Sequence, residues 1–224
     1  MIVFLRKYKY ELLLAALIQH LFIGIFLTDM VNYTKVIWPI NMLILGIASI
    51  GVFIEKGKWK NLIRNLLFVL IVAFPVGLPF FDTNPLYMAS LLASMTLFYM
   101  FVFYEVLHYL LKPSYINRDI ITASACGYFL LIEICVFLLQ IFFYTNPASF
   151  KGMDATFSIE NSAKIYMNLV YFSSITITSI GYGDITPNTH TTKLITSLFG
   201  VIGQFYSVVL VGILISKFTS NSEK

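Results

Sequence analysis

An all-α integral membrane protein with six spanning helices is the fold class this sequence predicts, and three observations carry that expectation. Hydrophobic residues make up 58% of the 224 residues and charged ones only 12%. The mean hydropathy of +0.83 is likewise far from that of a soluble domain of this size. Six apolar segments approach the length needed to cross a hydrocarbon core of about 30 Å: Leu12 to Thr28, Val36 to Ile54, Leu62 to Phe81, Met88 to Leu111, Ile120 to Tyr144 and Leu194 to Lys217. Between the fifth and sixth lies an amphipathic stretch too short to span that ends in glycines, which predicts a re-entrant helix.

Orientation follows from the basic residues. Arg6, Lys7 and Lys9, then Lys56, Lys58, Lys60 and Arg64, then Lys112 and Arg118, then Lys217 and Lys224 fall on one side of a six-span topology. Only Lys35, Lys151, Lys164 and Lys193 fall on the other. The first side is therefore expected in the cytoplasm, with both termini there, in a multi-pass protein of the cell membrane. No small-x-small cleavage site follows Leu27, so the first apolar run reads as a retained span. The formal charge of +4 is read for its placement and gives no nucleic-acid signal.

The first four spans contain Pro39, Pro75 and Pro79, which bend helices and are tolerated in membranes where neighbours re-satisfy the freed backbone groups. The loop with Glu55, Lys56, Lys58, Trp59 and Lys60 reads as an interfacial anchor on membrane lipids. In the fourth span the ionisable residues besides tyrosine are Glu105 and His108, placed three apart so that they can pair or snorkel to the interface. Glu133 falls near the middle of the fifth span, where an ionisable side chain is a functional candidate. It is expected to accept a hydrogen bond from a neighbouring tyrosine or glutamine, or to be protonated and structural. Cys126 and Cys135 are nine residues apart in that span, about 13 Å along a helix axis. That is too far for a disulfide, so both read as small buried side chains.

The glycine run is Ser179-Ile180-Gly181-Tyr182-Gly183, preceded by Thr176-Ile177-Thr178 and followed by Asp184. A cation that sheds its water needs rings of backbone carbonyl oxygens in its place. Gly181 and Gly183 tolerate the left-handed angles that aiming such carbonyls requires, and the Ser179 hydroxyl supplies one more oxygen at the inner end. A chance turn between apolar segments is the plain alternative, set aside because the run sits between a short amphipathic stretch and a final apolar helix. It is no dinucleotide fingerprint, since Thr186 occupies the place of the third glycine.

The stretch Thr-Ile-Thr-Ser-Ile-Gly-Tyr-Gly-Asp resembles the filter signature of the potassium channel superfamily, whose usual core is Thr-Val-Gly-Tyr-Gly. Ser179 replaces the usual threonine and Ile180 the usual valine, and each keeps the chemical type. The resemblance implies a prokaryotic six-transmembrane, voltage-gated-like channel: residues 1–111 as a four-helix sensor-like domain and 112–224 as the pore domain. K+ would sit at Ser179, Ile180, Gly181 and Tyr182, with Gly183 completing the run. In the family the fifth span is the outer helix, Lys164 to Ser179 a half-membrane pore helix and the sixth span the inner helix. Tyr171 and Phe172 then brace the filter, together with Thr178 and Asp184, while Ile175 stands where some members carry a supporting glutamate. A single copy of the motif in a chain whose carbonyl ring needs four implies a homotetramer.

In the last span Gly203 resembles the family's hinge glycine, with Gly200 a second soft point. Gln204 and Ser207 share one helical face, with Val211 a turn further, and are expected to line the central cavity. Helix packing by these small and polar residues is the alternative. The resemblance is specific from about Ile120 onward. Before that it is architectural, and the fourth span lacks the basic ladder of family members that sense voltage.

His20, His108 and His190 have no metal-ligand spacing, and no nucleophile elbow, P-loop or paired-carboxylate arrangement is present. His190 is expected at the outer mouth. Neither catalysis nor a cofactor beyond the permeant ion is expected, nor nucleic acid as a partner. The sequence thus predicts a passive potassium-selective channel with little voltage dependence. Its rivals are a non-selective cation channel and a non-conducting receptor or potassium transporter subunit.

Overall fold

The structure is a computed structural model that describes residues 8–52, 58–81, 84–111, 118–154, 156 and 159–222, with no account of the side chains at 58–64, 66–68, 78–79, 159–160, 211 and 213–222. Arg6, Lys7, Glu55, Lys56, Lys112 and Lys224, which enter the orientation and interfacial-loop arguments, lie outside the described residues.

The apolar runs become helices because only intrahelical bonding satisfies backbone groups where water is absent. Helix α1 spans Lys9–Phe26, its last turn tightening to 3-10 geometry over Ile23–Phe26. Helix α2, Met30–Ile50, starts earlier than the sequence suggests because Asp29 caps it, its side chain accepting the Asn32 N–H at 3.0 Å. Over Tyr33–Ile37 this helix widens into a π turn. Pro39 accounts for it: the ring has no N–H to offer and crowds the carbonyl four residues back, at Lys35, so the hydrogen-bond ladder shifts register.

Helix α3 runs Lys58–Phe81. Helix α4, Pro85–Leu111, opens on Pro85 with Asn84 as its cap, the Asn84 Oδ1 accepting the N–H groups of Leu86 at 3.0 Å and Tyr87 at 3.3 Å. Helix α5, Arg118–Thr145, is followed by α6, Ile159–Ile177, and α7, His190–Ser222. Helix α6 starts five residues before Lys164, because Asp154 and Thr156 organise the turn ahead of it: Asn161 donates to Asp154 Oδ2 at 3.2 Å and to the Thr156 carbonyl at 2.9 Å. Among the described residues five helices, α1, α2, α4, α5 and the part of α7 to Leu210, are long and apolar enough to cross a membrane.

Helix α5 is the centre of the molecule, with α1, α4, α6 and α7 packed around it. Its burial on nearly all sides from Ile120 to Tyr144 matches its apolar sequence. Helices α1 to α4 pack in chain order, α1 on α2, α2 on α3 and α3 on α4, with the Tyr10 ring of α1 also 4.8 Å from that of Tyr109 in α4, and the first turns of α2 cover α6. Gln19 in α1 donates to Asn41 in α2 at 3.0 Å, while Ser49, Thr96 and Ser124 return their hydroxyls to carbonyls four residues back. The strands β1, Phe150–Lys151, and β2, Thr186–Pro187, form a two-residue antiparallel ladder that pairs Phe150 with Pro187 and Lys151 with Thr186.

Glu133 corrects the sequence expectation. Its carboxyl faces His20 of α1 at 3.1 Å, because α1 packs on α5 at that level; this corrects the choice of neighbour, a histidine rather than a tyrosine or glutamine. His108 stacks on Tyr104 with rings 5° apart in tilt, and both cysteines are free and buried.

Candidate functional site

The site begins where α6 ends. Its last carbonyls have no helical N–H to accept, and the chain turns back to supply them. Ser179 N–H donates to the Thr176 carbonyl at 3.0 Å, and Ile180 N–H and Gly181 N–H donate to the Ile175 carbonyl at 2.8 and 3.1 Å. This is a Schellman closure, which demands a left-handed residue at its hinge, usually glycine. Here the hinge is Ser179, with φ 60°. A side chain at such a position costs on the order of 1–2 kcal/mol, so the residue is held there by the closure and carries a hydroxyl where glycine would carry none.

From Ser179 the backbone alternates. Positive φ recurs at Ser179 (60°), Gly181 (57°) and Gly183 (82°), whereas Ile180 and Tyr182 between them keep negative φ. Ile180 is 56% and Tyr182 71% exposed, so the run is open on the surface of the single chain. The sequence points to the two glycines; the third left-handed residue, a serine, carries no glycine to announce it.

The outer end is braced from two sides. Tyr171 of α6 donates its hydroxyl to Asp184 Oδ2 at 2.9 Å, and its ring lies parallel to that of Tyr182, 6.3 Å between centroids and 5° in tilt. From the loop after α5, Gly152 presses so closely that a Cβ there would stand 2.1 Å from the Asp184 carbonyl oxygen. Asn188 N–H and Nδ2 donate to the carbonyls of Ser149 at 2.7 Å and Ala148 at 2.9 Å, and Thr192 Oγ1 donates to Ser149 O at 3.0 Å. Gly152, Asn188 and Thr192 went unremarked in the sequence, where the signal was only a Lys-Gly-Met-Asp turn and a Thr-x-x-Thr helix start. Phe172, expected beside the glycine run, is buried edge-on against Phe150 at 5.6 Å. Thr178 turns its hydroxyl back to the Ser174 carbonyl at 2.8 Å, and Ile175 is buried.

The inner end meets α7. Gln204 Nε2 donates to Ser179 Oγ at 2.7 Å, joining two residues the sequence placed in separate features. Gly203 lies against the end of α6: an added Cβ would meet Ile177 Cγ2 at 2.7 Å and the Ile177 carbonyl oxygen at 3.0 Å. Close approach therefore explains this glycine without a hinge. A Cβ added at Gly200 would meet its nearest neighbour, in Thr176, at 3.9 Å. Ser207 returns its hydroxyl to the Gly203 carbonyl at 3.0 Å, and the Val211 side chain lies outside the described residues. Two residues on from Gln204, Tyr206 donates its hydroxyl to the Ser124 carbonyl of α5 at 2.8 Å. The phenol fits because Gly127 leaves the space empty; a Cβ there would come within 2.1 Å of the oxygen.

On the loop ahead of α6, the N–H and hydroxyl of Thr156 hold the Asp154 carboxyl below the usual carboxylate range, with smaller help from Asn161 and Lys164. His190 is the exposed first residue of α7. Among the described residues no group of three or more His, Cys, Asp or Glu side chains is placed to hold a metal ion.

Residues 130–220, which contain all of these contacts except those to Ser124 and Gly127, match the family described as "Ion channel". No curated protein and no solved structure matches the chain.

Proposed function

We propose, from a chain whose residues 130–220 match the family described as "Ion channel", that this membrane protein is a potassium-selective channel built from four copies. K+ passes along the carbonyls of Ser179, Ile180, Gly181, Tyr182 and Gly183, with Ser179 Oγ as the innermost ligand. The observation that carries the reading is the alternation of φ sign from Ser179 to Gly183. Alternating handedness brings successive peptide planes round to one side, so consecutive carbonyls can replace a cation's water.

Further features support it. Helix α6 directs its C-terminal, negative end at the Ser179 level, which favours a partly dehydrated cation there. One glycine run per chain makes a fourfold ring the natural assembly. Leu194, Leu198, Val201, Phe205 and Val208 of α7 are all exposed in the single chain at alternating spacings of four and three, the pattern of a helix that packs on a copy of itself. The Tyr171–Asp184 bond and the Gly152 contact fix the outer end of the conduction path.

Purified protein in liposomes provides the test. K+ efflux under a valinomycin-independent gradient, with a reversal potential that follows K+ against Na+, is expected, and Gly181→Ala should abolish it. A reversal potential near zero in opposed K+ and Na+ gradients would make this a non-selective cation channel. No flux of either ion from a tetrameric preparation would leave the receptor or transporter-subunit reading standing.

A further inference from the structure

Serine and threonine differ at the innermost ligand in one physical respect. Threonine's methyl group holds χ1 in place from within the side chain, and serine has no such restraint. An unrestrained hydroxyl visits several directions, and only one of them aims the oxygen at an axis shared by four chains. The usual core carries threonine at the place of Ser179, so this chain needs a restraint from elsewhere if the oxygen is to serve as a ligand.

Such a restraint is present. Gln204 Nε2 lies 2.7 Å from Ser179 Oγ, and the helix that carries it is held at that height. Gly203 allows α7 to approach the Ile177 carbonyl at the end of α6, and Tyr206 fastens the same turn to α5 through Ser124. The amide donates to one lone pair of the serine oxygen and leaves the other for a cation. Ser179 is also the left-handed hinge of the α6 closure, so its backbone direction is fixed as well. Backbone and side chain together define where the oxygen sits.

We infer that Gln204 is a positioning residue that sets ion selectivity at the innermost site by holding the Ser179 hydroxyl on the conduction axis. It replaces from outside the side chain the stiffness that threonine supplies from inside. The inference rests on the reading of Ser179 to Gly183 as a potassium filter, and it concerns discrimination between K+ and smaller cations rather than conduction as such.

The test is a double-substitution cycle in the full chain, reconstituted in planar bilayers, with two measurements: the K+/Na+ permeability ratio from bi-ionic reversal potentials, and half-block by Ba2+ added from the inner side. Ba2+ has nearly the size of K+ and twice its charge, so it reports on the innermost oxygens directly. Q204M keeps the length of the side chain and removes the donor. It is expected to lower the permeability ratio roughly tenfold, about 1.4 kcal/mol between the two ions, which is a fraction of one modest hydrogen bond in each of four chains, and to weaken Ba2+ block. S179A is expected to do the same, and S179A/Q204M to be no worse than S179A alone, because without the hydroxyl there is nothing for the amide to hold. Threonine at 179 in the Q204M background is expected to restore selectivity. A Q204M channel with unchanged permeability ratio and Ba2+ block, or effects of the two single substitutions that multiply in the double, overturns the inference. Should Q204M give no tetramer, Q204L is read in the same way. Failure of the channel reading shows separately, as an unsubstituted protein without K+ selectivity.

Discussion

His20 Nε2 stands 3.1 Å from Glu133 Oε1, and neither side chain has any exposed surface. The first helix and the central helix of the molecule thus meet through a contact between two ionisable groups within spanning segments. Tyr166 of α6 joins the same spot by donating its hydroxyl to the His20 carbonyl at 3.2 Å, with its ring 5.4 Å from the imidazole. Tyr33, Tyr99 and Tyr166 lie within electrostatic reach of the carboxylate. Four helices and the π turn of α2 therefore share one polar centre inside an apolar bundle.

Breaking that pair on one side strands the other member. A buried polar group left without its partner typically costs about 1–3 kcal/mol, and more when it is charged, whereas replacing both partners with apolar residues is often close to neutral. Glu133→Leu and His20→Leu should each lower the thermal stability of the detergent-solubilised protein markedly, and the double substitution should recover most of the loss. Additive losses in the double would mean that the two side chains do not act as a pair.

Gly152 combines a left-handed backbone, φ 83°, with an Asp184 carbonyl oxygen 2.1 Å from where a Cβ would be. Because that neighbour is backbone, relief requires moving the outer end of the glycine run itself. Gly152→Ala is expected to reduce K+ conductance severely while leaving the tetramer intact by cross-linking. Full conductance in this variant would show that the loop does not position Asp184.

Two glycines of α7 separate close packing from flexibility. Gly203→Ala would press a methyl on the Ile177 carbonyl, 3.0 Å away, while Gly200→Ala finds open space to 3.9 Å. Alanine is the better helix former by about 1 kcal/mol. Gly200→Ala should therefore be neutral or slightly stabilising, and Gly203→Ala should impair both assembly and conduction. Equal effects in melting and current recordings would point to bending as the shared role instead.

Asp154 supplies a pH dependence whose sign is fixed by the direction of its shift. Its carboxyl titrates below the usual range when folded, Thr156 being the main cause. The stabilisation is fully present above the ordinary aspartate value of about 3.9 and is lost as pH falls through the lowered folded value. Melting curves of the unsubstituted protein and Asp154→Asn should differ above that range and converge below it. A gap that persists at the acid end would assign the loss to something other than this carboxylate.

Voltage dependence should be small. Helix α4, Pro85–Leu111, contains no lysine or arginine. Moving one charge through the membrane field yields about 2.3 kcal/mol per 100 mV, and Glu105, less than two turns from the end of the helix, would traverse a fraction of it. Conductance measured against voltage in symmetric K+ without blocking ions should be nearly flat. An effective gating charge of several elementary charges would contradict this.

The helices and the glycine run were legible because each rests on local signals: apolar length for α1, α2, α4 and α5, and glycine at 181 and 183. What the sequence withheld were contacts between distant segments. Nothing near Glu133 names His20, which lies 113 positions earlier by the difference of their numbers. Ser179 as a left-handed hinge is invisible too, since the closure of α6 and not residue type imposes that angle. Gly203 was legible as a special position, but its reason, the carbonyl of Ile177, belongs to another helix. Helix α6 began earlier than expected because a side-chain cluster at Asp154, Thr156 and Asn161, polar and unpatterned in sequence, organises its first turn.

Tyr206 and Gln204 are two residues apart, which in an α-helix places them about 200° apart around the axis. One hydroxyl is seated in the notch of Gly127 and reaches Ser124 on one side of α7, and one amide reaches Ser179 on the other. A helix pinned on opposite flanks within a single turn resists rolling about its own axis, because any sizeable rotation pulls one of the two bonds apart. Any displacement of α7 that keeps both bonds is thereby limited to tilting or bending beyond residue 206.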